Sequence, residues 1–387
     1  MNQWNNGSMN QSSGRPTWAE IDLNALAHNF RVIRDVVGSE VGVLAAVKAN
    51  AYGHGAVECA RRLQKEGAAW FGVALPEEGS DLRNAGITKP ILCMGGMWTG
   101  QENLCIRQNL TPVVYRLDVA RGLDRAAANA GKIIDVHIKI DTGMGRLGVP
   151  YDDLTEFCEA LKQCRNIRVD GLMTHLSSAD EETKVEFTRT QLDRFRQAVA
   201  LFREHGFNPT HVHAANSAGL FAFADSRFNL VRPGGTLYGF QRDVLPQRVG
   251  SPPLRPVMSL YSRIELLKQV KKGERLGYGG TFETSRDSLI ATLPIGYDDG
   301  YRRAFSNQSR VIVRGQFAPV VGRVSMDLTI IDVTDVPDVS LDDRVTLLGG
   351  DGACSITAED LGEFASTISY EVTCGISNRV PRQYRGR

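Results

Sequence analysis

The sequence predicts an α/β fold, a (β/α)8 TIM-like barrel followed by a C-terminal mainly β domain, and three observations carry that prediction. Short apolar runs alternate with helix-like segments from Asn24 to Val231; eight such runs can be counted from Val41; and beyond about Gly250 the texture changes to closely spaced apolar runs parted by Gly and Asp turns. Strands alternating with helices imply a parallel sheet, and eight units in so short a stretch fit a closed barrel better than an open doubly wound sheet.

The elements follow in order. A helix-like run over Asn24–Val37 opens with Asn24 as a candidate N-cap. The eight apolar runs are Val41–Val47, Trp70–Ala74, Pro90–Met94, Thr111–Tyr115, Ile133–Ile140, Ile167–His175, His211–Ala214 and Phe228–Val231. Helical patterns separate most of them, at Ala56–Gly67, Pro76–Asn84, Gln101–Gln108, Leu117–Ala130, Asp152–Cys164, Val185–His205 and Ala218–Ala224. Pro252, Pro253 and Pro256 then break the chain. Strand-like runs follow at Met258–Val270, Leu289–Leu293, Arg310–Val313, Val320–Val321, Leu328–Val333 and Arg344–Leu348, with one helical stretch at Thr357–Thr367. The expected division is a disordered tail over residues 1–16, a barrel over 17–250 and a β domain over 251–387.

Composition narrows the class of function. A chain of 387 residues suits two domains. With 42% hydrophobic and 23% charged residues it reads as a soluble globular protein with a substantial core. Its 45 basic and 44 acidic residues leave a formal charge of +1, which favours neither nucleic acid nor an anionic membrane. Seven cysteines, scattered and never spaced as CxxC, read as reduced thiols in a reducing compartment. The polar N-terminus has no apolar core of a signal peptide, and no run is long enough to span a bilayer, so the cytoplasm is expected.

Functional residues of a barrel sit at the C-terminal ends of its strands. Lys48 ends the first strand, in AAVKANAYGHG, where desolvation would lower its pKa and make it a nucleophilic amine suited to a Schiff base; a surface lysine at a strand end is an equal alternative on this segment alone. The fifth strand delivers Lys139 and then the loop from Asp141 to Arg146, the sixth ends at His175, the seventh leads to Asn216-Ser217, and the eighth to Arg232-Pro233-Gly234-Gly235. A hydroxyl at Ser217 and the backbone amides at Gly234 and Gly235 suit a phosphate, which barrels often bind with the loops after strands seven and eight. His211 and His213 share one strand face, as metal ligands can, but packing and hydrogen bonding are favoured and no metal is expected. In the second domain GYGGTF (Gly277–Phe282) and GYDDGY (Gly296–Tyr301) stand out. The residues by themselves support a barrel enzyme with a Schiff-base lysine and a phosphate site, its reaction open.

AVKANAYGHG, DTGMGRLG, the histidine of THLSSAD, NSAG, VRPGGTLYG, GYGGTF, GYDDGY, GRVSMD and the terminal RVPR together resemble the alanine racemase family, in its order and at similar spacing, from about Trp18 to Arg382. The resemblance implies pyridoxal 5'-phosphate (PLP) held covalently by Lys48, with Tyr52, Ser217, Gly234 and Gly235 on its phosphate and Arg232 facing the pyridine nitrogen. His175, Asn216 and Tyr297 complete the implied cofactor set. It implies a homodimer with shared active sites, in which Tyr278 of one subunit reaches the barrel of the other and Met326 binds the substrate carboxylate with Arg146. Lys139 aligns with a lysine that is carbamylated in many members. Lys48 and Tyr278 would be the two bases. A tyrosine of ordinary pKa near 10 is a poor base at neutral pH, so a chain from His175 to Arg232 is expected to stabilise its phenolate.

One departure bears on substrate. The segment CGISNRVPR carries Asn378 where most of the family has a tyrosine against the substrate methyl group. Losing bulk and gaining a donor and an acceptor would open the pocket to serine, so a serine or broad-specificity racemase is the nearest rival. A PLP-dependent decarboxylase of related fold would call for an acidic partner at the pyridine nitrogen, against Arg232. A PLP-binding homeostasis protein would lack the second domain.

Overall fold

The computed structural model describes residues 15–387; the tail expected over residues 1–16 lies outside them apart from Arg15 and Pro16. The chain forms two compact units.

The larger unit, Ile21–Met258 with Ala358–Gly375 and Tyr384–Arg387, contains the barrel. All eight expected strands are present, at Gly42–Ala46, Trp70–Val73, Ile91–Cys93, Thr111–Val114, Ile134–Asp141, Ile167–Met173, His211–His213 and Leu230–Val231. The first seven pair in parallel, each with its successor, and the eighth pairs in parallel with the first through Leu230–Gly42 and Val231–Val43. The seventh and eighth meet where the Arg232 amide donates to Ala215 O at 2.9 Å. Leu44, Trp70, Leu92, Val113, Met173 and Leu230 fill the bore. The first helix, Leu23–Val37, buries Leu23, Leu26, Phe30, Ile33 and Val37, an i, i+3, i+4 stripe. Its N-cap is Asp22 and not the expected Asn24: Asp22 Oδ1 accepts from the Asn24 and Ala25 amides at 2.8 and 3.0 Å, a bond set worth about 1 kcal/mol.

The smaller unit is mainly β. Its chief sheet runs Gln316–Pro319, Arg310–Val313, Arg344–Asp351, Met258–Arg263, Trp18–Asp22, Arg382–Arg385 in spatial order. The expected single run Met258–Val270 is two strands, Met258–Arg263 and Leu266–Val270, in different sheets. The break falls where Ile264 N–H bonds Asp343 O and Glu265 N–H bonds Thr292 O, one residue serving each sheet. Val320–Val321 forms only an isolated bridge, Val320 to Ile331.

No helix among the described residues is long and apolar enough to cross a membrane. The seven cysteines are free, five of them buried.

Candidate active site

The barrel mouth is organised by an unusual turn after the first strand. Ala49, Asn50, Ala51 and Tyr52 all have φ between 52° and 55°, and the first three have ψ of 45–50°. This is a left-handed helical turn of non-glycine residues, closed by Ala51 N–H to Val47 O (2.9 Å) and Gly53 N–H to Ala49 O (3.0 Å). Each such residue costs about 1–2 kcal/mol, so the surroundings must hold the turn. Glu78 does much of this. One carboxylate oxygen accepts from the Ala49 amide at 2.6 Å, and the other caps its own helix at Ala74 and Leu75. The Asn50 side chain accepts from Ala56 N at 2.9 Å. Gly53 and Gly55 let other backbone and side chains close in: a Cβ at Gly53 would lie 2.1 Å from Thr373 O, and one at Gly55 1.9 Å from Tyr384 Oη. His54 is structural, its buried ring stacked on Tyr238 at 4.5 Å.

Because Ala49 is exposed, Ala49→Gly removes strain without loss of packing. It is expected to raise unfolding stability by about 1 kcal/mol, the left-handed penalty less the entropy of the added glycine. Denaturant unfolding of the unloaded protein measures this; unchanged or lower stability would refute the strain argument.

The turn presents Lys48 and Tyr52. Burial lowers the Lys48 pKa, Arg146 adding to the effect and Glu78 opposing it. Tyr52 points at the loop after the eighth strand, where a Cβ on Gly234 would sit 2.5 Å from its hydroxyl. Burial holds the Tyr52 phenol neutral. Ser217 Oγ accepts from Gly234 N (2.9 Å), Thr236 Oγ1 (3.0 Å) and Thr236 N (3.4 Å). On the other side a Cβ on Gly235 would lie 2.5 Å from Tyr370 Oη. Tyr52, Ser217, Gly234, Gly235 and Tyr370 therefore outline a cradle of hydroxyls and amides with no carboxylate, fitted to a phosphate. Asn216 supports it from beneath, its side chain accepting from Gly219 N at 2.9 Å and donating to Leu176 O at 3.1 Å.

Arg232 lies deeper, with only 4% of its surface exposed. Nη1 donates to His213 Nδ1 (2.8 Å) and His213 O (2.9 Å); Nη2 donates to Thr174 O (2.6 Å), Ala214 O (3.0 Å) and, at 3.5 Å, His175 Nδ1. Its Nε–H alone is left without a partner among the described residues. Burial lowers its pKa to about 9, so it remains a cation at neutral pH. Since arginine only donates, His175 Nδ1 accepts and Nε2 carries the ring proton. Burial, then the Arg232 charge, keep that ring neutral.

Lys139, 4% exposed, has its pKa brought down to about 8 by burial and by the charges of Arg232, Arg146 and Lys48. Four cations thus converge on one mouth, which selects anionic ligands. Nearby, Asp141 holds the turn leading to Arg146 by accepting from Gly143 and Gly145 N–H. Lys139→Met is accordingly expected to stabilise the unloaded protein in carbonate-free buffer, by up to about 3 kcal/mol. Below pH 8 both folded and unfolded wild type hold the proton, and the full penalty applies. Between 8 and the ordinary lysine value of 10.5 the unfolded chain binds more protons, so wild-type stability rises and the advantage of the variant fades. Equal stability of the two at pH 7 would contradict this.

The remaining expected residues are on the smaller unit, where its loops converge. Tyr278 sits at the tip between Arg275–Leu276 and Phe282–Glu283, whose Gly277 packs on Arg323 N. Tyr297 N–H donates to Ser325 O (3.0 Å) and Asp298 N–H to Met326 O (3.1 Å). Ser377 N–H, next to Asn378, donates to Asp299 O at 3.0 Å. Asp299 is the hub: fully buried, it accepts from Arg15 Nη1 and Nη2 at 2.5 and 2.6 Å and from Gly296 N at 2.9 Å. Arg379 ties Asp298 and Asp327 together. Tyr278, Met326 and Tyr297 remain 71%, 52% and 42% exposed.

Sequence reasoning missed Glu78, Tyr370, His137 and Asp299. Glu78 had a signal, a glutamate at the third helical position after Pro76, and Asp299 lies inside the GYDDGY segment that stands out in the sequence; Tyr370 and His137 had none. No group of three or more potential metal ligands occurs among the described residues.

Comparison with known proteins agrees with this picture. Residues 21–242 match the family model for the alanine racemase N-terminal domain, and 257–384 that for the alanine racemase C-terminal domain. Similar proteins include the alanine racemase of Halothermothrix orenii, 44% identical over 98% of this chain and 99% of the relative, and that of Geobacter sulfurreducens, 46% identical over 96% and 97%. Among solved structures, the alanine racemase of a D-cycloserine-producing Streptomyces lavendulae superposes with a TM-score of 0.90 at 35% identity, covering 97% of this chain and 98% of that one. The Bacillus anthracis alanine racemase with bound L-Ala-P gives 0.90 at 34% identity, covering 96% of each chain.

Proposed function

The chain belongs to the alanine racemase family and interconverts L- and D-alanine, and we propose that it does so with pyridoxal 5'-phosphate held at the barrel mouth and two bases drawn from two subunits. The observation that supports the cofactor best is the free Nε–H of the otherwise fully engaged Arg232, a donor waiting for one acceptor beyond the Tyr52–Ser217–Gly234–Gly235 cradle. The group fits: the cradle would take its phosphate, Arg232 Nε–H would face its ring nitrogen, and Lys48 would hold its aldehyde carbon. When bound, the cofactor supplies an electron sink that makes the α-proton of the amino acid acidic.

The rest of the reaction falls to the chain. Lys48, its amine biased toward the neutral form by burial, takes or returns the α-proton on one face of the substrate. The partner subunit's Tyr278 serves the other face, its oxygen met by the Nε2–H of His175. Arg146, with the partner subunit's Met326 backbone, holds the substrate carboxylate, and the partner subunit's Tyr297 would lie against the cofactor. The large exposure of Tyr278, Met326 and Tyr297 supports a homodimer in which these loops are covered, since aromatic groups on one converged surface mark an interaction site. Arg232 does not give up its proton readily, so it would hold the ring nitrogen by a hydrogen bond without protonating it. With its pKa brought down to about 8, the Lys139 ammonium can shed its proton, and the free amine can add to carbon dioxide with release of a second proton, giving a carbamate anion beside Arg146. The free thiols fit a reducing compartment, the cytoplasm.

Asn378, exposed and next to the Asp299 hub, supports a second reading on substrate: serine is accepted beside alanine. The test is deuterium exchange and chirality change for L-alanine and L-serine, side by side, in wild type and Asn378→Tyr. Exchange of the alanine α-proton is expected in both. The serine-to-alanine ratio of kcat/KM should fall about tenfold in the variant, the weak discrimination a pocket of this kind supplies. An unchanged ratio removes the serine reading; absence of exchange in the PLP-loaded wild type removes the cofactor reading.

A further inference from the structure

A chain of polar side chains runs from Arg232 down through the apolar bore, and no step above uses it. His213 Nε2 lies 2.8 Å from His137 Nδ1, and His137 Nε2 faces Asp170 Oδ2 at 3.8 Å. Directions along the chain follow from chemistry. Arg232 can only donate, so His213 Nδ1 accepts and a neutral His213 carries its proton on Nε2. That proton is donated to His137 Nδ1, which leaves the His137 proton on Nε2, aimed at a carboxylate that only accepts. Both hydrogen bonds point the same way, and the last N–H of the chain faces Asp170 across 3.8 Å.

We propose that Asp170 is a positioning residue for Arg232: it terminates this one-way chain and is the anion that the buried guanidinium reaches through two imidazoles. Local structure is built around the path. The ladder between the fifth and sixth strands slips by a residue at Val136/His137, and His137 comes to lie opposite Gly171. A Cβ on Gly171 would lie within 2.5–2.6 Å of the His137 ring, so only glycine leaves it room. Trp70 packs on the same ring at 5.2 Å. His137 Nε2 is buried with no acceptor at hydrogen-bond distance, which leaves Asp170 as the group it addresses. Around Asp170 stand His211, whose Nε2 is 3.7 Å from Oδ2, and the Thr210 hydroxyl. Burial keeps both His137 and His213 neutral, and His137 first among its partners holds Asp170 below the usual carboxylate range. The contact is therefore imidazole to carboxylate, not an ion pair. No carboxylate hydrogen-bonds Arg232 among the described residues, so the negative charge of Asp170 acts on the Nη1 anchor at His213 from a distance: electrostatically on the His137 N–H across 3.8 Å, and from there through the His213–His137 hydrogen bond, which it polarises. The Nη anchors set the plane of the guanidinium and hence the aim of its free Nε–H.

The test is 15N NMR of histidine-labelled protein without cofactor, the signals identified with His137→Gln and His213→Gln. In wild type both rings are expected as the single tautomer with the proton on Nε2. In Asp170→Asn, the same shape without the charge, the ring signals of His213 are expected to move although it does not touch residue 170, whereas His211→Gln leaves them in place. In the PLP-loaded enzyme kcat for alanine should fall about tenfold in Asp170→Asn, one hydrogen bond's worth, with KM unchanged. That kinetic consequence rests on the reading that Arg232 faces the cofactor ring. A wild-type His213 protonated on Nδ1, or His213 signals unmoved in Asp170→Asn, would overturn the proposal. Moved signals with wild-type kcat would count instead against Arg232 facing the ring.

Discussion

Lys48→Ala is expected to lower alanine racemisation at least about 10⁴-fold, the upper range for loss of a positioned acid–base group, and to abolish covalent attachment of PLP. The side chain removed is the one amine that the left-handed turn presents at the mouth, and it is partly exposed, so the fold should survive. Loss of the protein-bound absorption band, with phosphate affinity retained through Tyr52, Ser217 and Gly234, would separate the role of the lysine from that of the cradle. Added methylamine should restore a small part of the rate, because a free amine can replace the missing base. Activity within tenfold of wild type would show that another group, Lys139 being the obvious one, does the work.

Tyr278→Phe should cost about 10²–10⁴-fold, and its location makes a sharper test possible. If each active site combines Lys48 of one subunit with the partner subunit's Tyr278, neither variant alone is active, but their mixed dimer contains one intact site and one doubly defective site. Random re-association of equal amounts then returns about a quarter of the wild-type sites. The assay is racemisation after mixing and reassembly of the two inactive proteins. No recovery, with mixed dimers demonstrated by mass, would place Tyr278 outside the partner's site. A phenylalanine at an exposed loop tip disturbs little packing, so lost activity would report on the hydroxyl.

Much of the barrel was legible because periodicity and length specify it. Eight apolar runs separated by helical patterns became eight parallel strands, several with ends within one residue of expectation. Site residues at strand ends were legible for the same reason: in a barrel the C-terminal ends converge, so Lys48, Lys139, His175, Ser217 and Arg232 had to meet once the strands were known. The smaller unit was less legible. The strand Trp18–Asp22 that joins its sheet lies far from its partners in sequence, and local pattern cannot announce long-range pairing.

By itself, then, the sequence determined the strand order, the identity of the chemical groups at the mouth and the resemblance that named a reaction, all properties set by short-range pattern. Only the tertiary structure decided the left-handed turn at Ala49–Tyr52, because its strain is tolerated through contacts with Glu78, Thr373 and Tyr384 that come from elsewhere in the chain. Only it showed which Arg232 donor is free, and that His137, read as one more residue of a strand, is turned into the bore by a slipped register opposite a glycine. Burial sets those charges and directions, and burial is a property of the packed chain.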